Sequence, residues 1–580
     1  MDGYILSIDQ GTSGSKAIIF THNGNIVASA FHEVTQHYPH LGWVEQDANE
    51  IWEKTLQAIL DVLKNARILP EDIRAIGISS QRCTTVVWNK LTSEPIGRAI
   101  IWQDRRTQYI CDRISESDKV EMVKNSGCFP LPNASFSKIQ WLMEEDRTVQ
   151  KALARGELLF GTIDSWLIWK LSGGTTHVTD LSNAFGTGLL NTTSLEYDEW
   201  SLNRFGIPRE ILPALKSSSE TYCFTDPRLF SGASIPISGC AGDQTAAAFG
   251  QACHKPGMIK NTYGTGSFMV LNTGQTHYLP ENGVISPVLW SIKGKTDFGL
   301  EGFADVSGAV INWLQDGLGI IRDEFDADGL AMQVPDTQGV FFVPALVGLG
   351  APYNSPNARG TIFGINLATN KSHITRAAIE SIAYQTRDSL ECIERKYGKK
   401  ITTLRVDGGG SRSDFLLQFQ ADILGIPVER PVVVETSAQG AAYLAGLSIG
   451  YWDSIEEVEN NWQLDTRFEP RMSKTKRDDL YAAWLKAINC AQTWGESGGS
   501  QTKKETNEAM DTKFYRLSPR EQEVIKLIVS GKSMREIASQ LFTSQKTVEK
   551  QRRDAMRKLE VDNIVALIRV CLEHGWLSDL

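Results

Sequence analysis

At 580 residues the chain is too long for one hydrophobic core, and 41% hydrophobic residues with 22% charged and 49 glycines exclude a disordered or fibrous chain. A formal net charge of −10 excludes a general attraction to phosphate backbones, so any nucleic-acid contact must come from a local basic surface. Nine cysteines, spread from Cys83 to Cys571 without a CxxC pair or His/Cys ligand spacing, argue against a disulfide framework and a zinc site and fit a reducing cytoplasm.

The first residues, MDGYILSIDQGT, run directly into a strand pattern, with no basic leader and no apolar stretch of the roughly 20 residues a membrane span needs. Residues 4–8 read as a buried strand, residues 9–14 as a tight Gly/Ser/Thr turn, and residues 17–20 as the returning strand of a hairpin. Helical periodicity at 50–64 then alternates with strand patterns at 75–79 and 158–161, the βα rhythm of a layered α/β fold. At 235–250 the rhythm restarts: a strand, a turn over 239–243, and a helix of small residues. A second glycine turn follows at 263–266, and Leu404 leads through Gly408, Gly409 and Gly410 into another helix. The expected arrangement is two similar lobes, residues 1–247 and 248–494, with ligands in the crevice between them.

After a helix at 478–493 the composition becomes Gly/Ser/Lys/Glu-rich, which predicts a polar linker over 495–513. Residues 514–580 are compact and helical. Ser518 with Glu521, Ser533 with Glu536, and Ser544 mark three helix starts, and Gly531 is read as the stop of the first helix. Six basic residues between Lys546 and Lys558 outweigh two acidic ones. A helix, a tight turn and a basic helix make a helix-turn-helix.

Phosphoryl transfer needs phosphates held, a magnesium ion placed and a base beside the accepting hydroxyl. Asp9, at the end of the first strand, suits magnesium; the turn after it suits a phosphate, and Lys16 suits phosphate charge. An ordinary hairpin turn with a solvated lysine explains the same residues. Asp243 lies where a strand gives way to a helix, placed either to accept a hydroxyl proton or to cap that helix. The Gly264-Thr265-Gly266 turn suits the transferring phosphate, and Gly408 to Gly410 let a nucleotide approach the backbone.

The segments IDQGTSGSKAIIF, GWVEQDANEIW, AIIWQDRRT, DSWLIWKLSGG, GDQTAAAFGQ, NTYGTGSFM, GLGAPY, ARGTIFG, RAAIESIAYQTRD and ERPVVVETSAQGAAYLAG resemble the FGGY family of carbohydrate kinases, and within it the glycerol kinases, over about residues 4–490. The resemblance implies two ribonuclease-H-like lobes of the actin and hexokinase type, closing over ATP, Mg2+ and a small polyol or sugar. It makes Asp9 a magnesium-associated carboxylate, Thr12, Ser13, Lys16 and Thr265 phosphate contacts, and Asp243 the general base. Gly308, Asn312, Gly409 and Ser413 would line the nucleotide site, with Asn312 and Ser413 standing where glycerol kinases have glutamine and asparagine. Arg82, Trp102, Asp243, Gln244 and Phe268 would surround the acceptor. Two further acceptor positions depart from the pattern: Cys83 replaces a glutamate and Asn133 a tyrosine. Both replacements are smaller, which implies either a roomier pocket for a four- or five-carbon polyol or ketose, or neighbours that fill the space around glycerol.

Residues 517–524 (LSPREQEV), 531–538 (GKSMREIA), 544–553 (SQKTVEKQRR) and 557–559 (RKL) resemble the LuxR-type DNA-binding domain. That implies a four-helix unit binding double-stranded DNA, usually as a dimer, with Lys546, Thr547, Lys550 and Arg553 at phosphates or bases. Glu549 and Gln551 stand where that pattern has lysine and histidine, which implies a different DNA sequence preference. The alternative for this part is a helical domain kept only for dimerisation. For the whole chain, an active kinase coupled to transcription competes with a sensor-regulator that binds a sugar without turning it over.

Overall fold

The computed structural model describes residues 3–499, 517–529, 532–541, 543–559 and 561. Contacts divide the chain into a large unit, residues 3–356 with 360–488, and a small unit containing residues 357–359 and the described residues from 489 onward.

The large unit repeats one topology. In its first lobe the strands Tyr4–Gly11, Gly14–Phe20 and Ile26–Glu33 form an antiparallel meander, and Ile73–Ser80 and Pro236–Gly242 extend it in parallel on the other side of the first strand. In the second lobe Ile259–Tyr263, Ser267–Gly274 and Lys295–Ala304 form the same meander, extended in parallel by Leu404–Asp407 and Val428–Pro431. Each lobe therefore has the strand order third, second, first, fourth, fifth, the ribonuclease-H-like arrangement expected for the fold. The central strands are buried on both faces, with Ile5, Leu6, Ile8, Ile76 and Ile78 fully enclosed, as parallel strands covered by helices must be. A single residue pair, Ser219 with Ile292, joins the two half-sheets into one of thirteen strands.

Two helices of small residues, Asp243–Gly250 and Thr436–Ser448, pack against each other at the middle of this unit. Any Cβ on Gly440 would collide with the Ala246 carbonyl, and any on Gly77 with the Ala441 carbonyl, so these backbones touch with no room for a side chain. The alanine- and glycine-rich composition of both segments is thus a packing requirement.

Two expected turns are shorter than read. Asp9 pairs with Lys16, Gln10 with Ser15 and Gly11 with Gly14, so the first hairpin turns on Thr12 and Ser13 alone. The strand Pro236–Gly242 passes straight into a helix whose first residue is Asp243, with no intervening turn. In both places ladder hydrogen bonds persist through residues whose composition reads as loop.

The helix expected to end at Thr493 continues to Gly499, so the first residues of the predicted linker are helical. Gly495 is there for contact: a Cβ would lie 2.5 Å from the Asn357 carbonyl oxygen. Residues 500–513 of that linker lie outside the described residues.

The small unit contains the helices Pro519–Val529, Met534–Gln540 and Gln545–Lys558. Ser518 and Glu521 exchange capping hydrogen bonds, Ser533 and Glu536 form a full capping box, and Ser544 accepts from the Thr547 amide at 3.1 Å. Val524, Ile528, Ile537, Leu541 and Val548 make its core, and Lys558 reaches back to Glu521 at 2.7 Å. Gly531 and any fourth helix beyond Val561 lie outside the described residues. Among the described residues no helix is long and apolar enough to cross a membrane.

Candidate active site

The two turns that the meanders create, Thr12-Ser13 and Gly264-Thr265-Gly266, face a cavity of about 790 Å³ in the large unit. Ten of the residues expected at the site line it: Thr12, Ser13, Arg82, Cys83, Trp102, Asn133, Asp243, Gln244, Thr265 and Phe268. They come from segments far apart in sequence because each lobe presents its strand ends to the same space.

Asp243 opens the helix Asp243–Gly250, and its side chain is 30% exposed. Its Oδ1 accepts from the Gln244 amide at 2.8 Å and its Oδ2 from Gln244 Nε2 at 3.3 Å. Gly242 occupies the cap position, and Asp243, as the first helical residue, satisfies one free amide of the helix end with Oδ1 while its side chain remains partly exposed to the cavity. Arg82 Nε stands 3.5 Å from Asp243 Oδ1, while its two terminal nitrogens grip Glu301 at 2.8 and 2.6 Å. Trp102 donates from Nε1 to Thr12 Oγ1 at 2.9 Å, and its ring meets Phe268 edge-on, with Phe303 stacked behind. This makes an aromatic wall beside a cluster of hydrogen-bonding groups, the surface a polyhydroxy carbon chain requires.

Cys83 sits at φ 66°, in the left-handed region, with its carbonyl accepting from the buried Lys138 Nζ at 3.0 Å. Lys138 also donates to the Asn133 carbonyl at 2.8 Å, and burial lowers its pKa to about 8. The two acceptor positions that depart from the expected pattern therefore share one buried cation. Burial raises the Cys83 thiol pKa, and Lys138 and Arg82 partly offset the rise.

Asp9 and Lys16 do not line this cavity. Asp9 is half-buried, accepts from Ser79 Oγ at 2.8 Å, and is pushed up to about 6, chiefly by burial. The charges of Lys16, Glu435 and Asp243 all reach it. Lys16 is paired with Glu435 at 2.7 Å, because Glu435 heads the helix Thr436–Ser448 directly across from the second strand. Lys16 is thus committed to an ion pair in this structure.

Gly308, Asn312, Gly409 and Ser413 also do not line this cavity. The amide of Gly308 donates to the Gly264 carbonyl at 2.9 Å, where a Cβ would come within 2.7 Å. Asn312 ends the short helix that Gly308 begins. Gly409 has open space around it, and Ser413 caps the helix Asp414–Leu424 while donating to Asp328 at 2.7 Å.

Glu301 and Lys260 escaped the sequence reading. Lys260 is the one charge in the buried strand Ile259–Tyr263, Glu301 is the one charge in the largely buried end (residues 298–304) of its strand, and a lone charge in such a place has to be paired. That pattern was the available signal.

Twin lobes with one topology, whose hairpin turns meet Asp243 at an aromatic-walled cleft, are the arrangement of a sugar-kinase class of phosphotransferase. Residues 4–250 match the N-terminal domain of the FGGY family of carbohydrate kinases and residues 259–449 its C-terminal domain. The chain is 49% identical over 495 residues to a glycerol kinase of Geobacillus sp. (strain WCH70), covering 85% of this chain and 100% of that protein. It is 50% identical over 492 residues to glycerol kinase 2 of Thermotoga maritima, covering 85% of this chain and 99% of that one. A crystal structure of Plasmodium falciparum glycerol kinase with ADP superposes with a TM-score of 0.78 at 31% identity, over 84% of this chain and 98% of that one. The chain belongs to the FGGY family of carbohydrate kinases. Residues 515–571 match the luxR family of bacterial regulatory proteins, so the kinase is fused to a DNA-binding domain of that type.

Proposed function

We propose that residues 1–247 and 248–494 form the two lobes of an ATP-dependent kinase acting on a hydroxyl of glycerol or a related small polyol or sugar. The observation that carries this reading is Asp243: a partly exposed carboxylate in a cavity shared by Thr12, Ser13 and Thr265 on one side and Arg82, Gln244, Trp102 and Phe268 on the other.

In this reading Asp243 accepts the proton of the attacking hydroxyl, Arg82 and Gln244 hold acceptor oxygens, and Trp102 and Phe268 cover the carbon chain. Thr12, Ser13 and Thr265 contact the phosphates, and Gly308, Asn312, Gly409 and Ser413 flank the nucleotide behind the glycine turn. Lys16 joins the phosphates on release from Glu435. Asp9 fits a magnesium site: burial has left its carboxylate short of positive charge, with Ser79 as its hydrogen-bond donor. Magnesium there would neutralise phosphate charge.

Cys83 and Asn133 remove a carboxylate and a phenol from the acceptor wall, which favours an acceptor longer than glycerol. The test is coupled ADP release with glycerol, erythritol, threitol, xylulose and ribulose. Turnover with at least one is expected; no turnover with any would overturn the enzymatic reading. Fastest turnover on glycerol would count against the longer acceptor.

The small unit, in the same reading, binds duplex DNA through its third helix, where Lys546, Thr547, Lys550 and Arg553 are all exposed. In this reading the protein is cytoplasmic and binds DNA as a homodimer or higher oligomer, and acceptor occupancy alters its DNA affinity.

A further inference from the structure

The ammonium of Lys260 is completely buried, and all three of its protons have acceptors. It donates to Gln244 Oε1 at 2.6 Å, to Thr262 Oγ1 at 2.7 Å and to the Phe268 carbonyl at 3.4 Å. Thr262 cannot be the donor in its contact with Lys260, because its own proton goes to Asp407 Oδ1 at 2.5 Å. Asp407 is itself buried and accepts from Gln251 Nε2 at 2.8 Å, so the far end of the chain is fixed as well. A carboxamide offers oxygen on one edge and two N–H groups on the other, and a lysine ammonium can only donate. Lys260 therefore forces the oxygen of Gln244 inward and its Nε2 outward, to Asp243 Oδ2 at 3.3 Å and the cavity.

We propose that Lys260 is a positioning residue that sets the direction of hydrogen bonding at the acceptor site. It locks Gln244 as a donor, so the phosphorylated hydroxyl must accept from Gln244 and give its proton to Asp243. The inference rests on the assignment of Asp243 as the base. It also explains why a cation is tolerated in the strand Ile259–Tyr263. Its hydrogen bonds hold three members of the cavity wall, Gln244, Thr262 and Phe268, in one register. The nearby carboxylates of Asp407, Glu301 and Asp243 oppose the loss of its proton that burial alone would favour.

A double-variant cycle read in acceptor KM tests this. Lys260→Met and Gln244→Ala should each raise acceptor KM about tenfold, with nucleotide KM little changed. The double variant should be no worse than Lys260→Met alone, because the effect of Lys260 on Gln244 is already lost there. Losses that multiply to about a hundredfold would overturn the proposal. Gln244→Glu guards against Lys260→Met failing to fold. Lys260 would hold the new carboxylate in place while a donor edge becomes an acceptor beside Asp243. Acceptor KM should then rise tenfold or more, and an unchanged KM would overturn the proposal. Asp243→Asn, measured in parallel, separates the two claims. If it keeps full turnover, the base assignment falls, and the cycle still decides the role of Lys260 through KM.

Discussion

Replacing Glu301 with glutamine tests how the base is kept free. Arg82 is clamped by two bonds to Glu301, at 2.8 and 2.6 Å, with side chains only 11% and 3% exposed, while its Nε stands 3.5 Å from Asp243. Removing one partner of a buried ion pair costs about 3 to 5 kcal/mol, and glutamine recovers one hydrogen bond from the charged guanidinium, about 2 kcal/mol, which leaves a net stability loss of about 1 to 3 kcal/mol. The guanidinium then has one carboxylate left within reach, and that is Asp243. Its shift onto Asp243 would occupy the lone pairs that must receive the hydroxyl proton. Because a positioned base contributes about a hundredfold or more, its occupation by Arg82 should lower kcat/KM roughly a hundredfold. Coupled ADP release should show that fall mainly in kcat, and thermal unfolding should show a lower midpoint. Wild-type kcat with an unchanged midpoint would refute the clamp.

Cys83→Glu places a carboxylate on the acceptor wall near Arg82 and Lys138. It should raise the kcat/KM ratio of glycerol to erythritol about tenfold; an unchanged ratio contradicts the assignment of that wall. Glu380 is buried against Arg376 and pushed up to about 7, mainly by burial, so the folded state holds its proton to higher pH than the unfolded chain does. Its contribution is fully present below about pH 4.5 and is lost as pH rises through about 7, a change of about 3 kcal/mol. Glu380→Gln should therefore gain stability relative to wild type between about pH 5 and about pH 8, and a constant difference in unfolding midpoints would contradict this. DNA affinity of the full chain should fall steeply with salt, and Lys550→Ala or Arg553→Ala should each reduce the log-log slope by about one. Indifference to salt would leave the third helix without phosphate contacts.

The sequence was most legible where one short segment decides the outcome. The hairpin at Asp9 to Lys16, the strand-to-helix step at Asp243, the glycine turn around Thr265 and the three capped helices after Leu517 all lie where their local patterns put them, with edges displaced by a residue or a few. Those edges moved because ladder hydrogen bonds continue through polar and glycine residues whenever a neighbouring strand is present. What composition could not reveal was pairing between distant segments. Lys16 reads as a free cation, yet Glu435 takes it, and Arg82 reads as an acceptor ligand, yet Glu301 holds most of it. The glycines at 495, 499 and nearby look like linker, but a helix runs through them to Gly499. Each of these outcomes depends on tertiary neighbours that no window of sequence contains.

The central claim is that Asp243 removes the acceptor's proton in a cleft built for phosphoryl transfer. Asp243→Asn keeps the shape of the side chain and abolishes its basicity. Acceptor-dependent ADP release by this variant should fall by about a hundredfold to ten-thousandfold, while nucleotide binding and DNA binding stay at wild-type levels. Turnover within a few-fold of wild type would contradict the account.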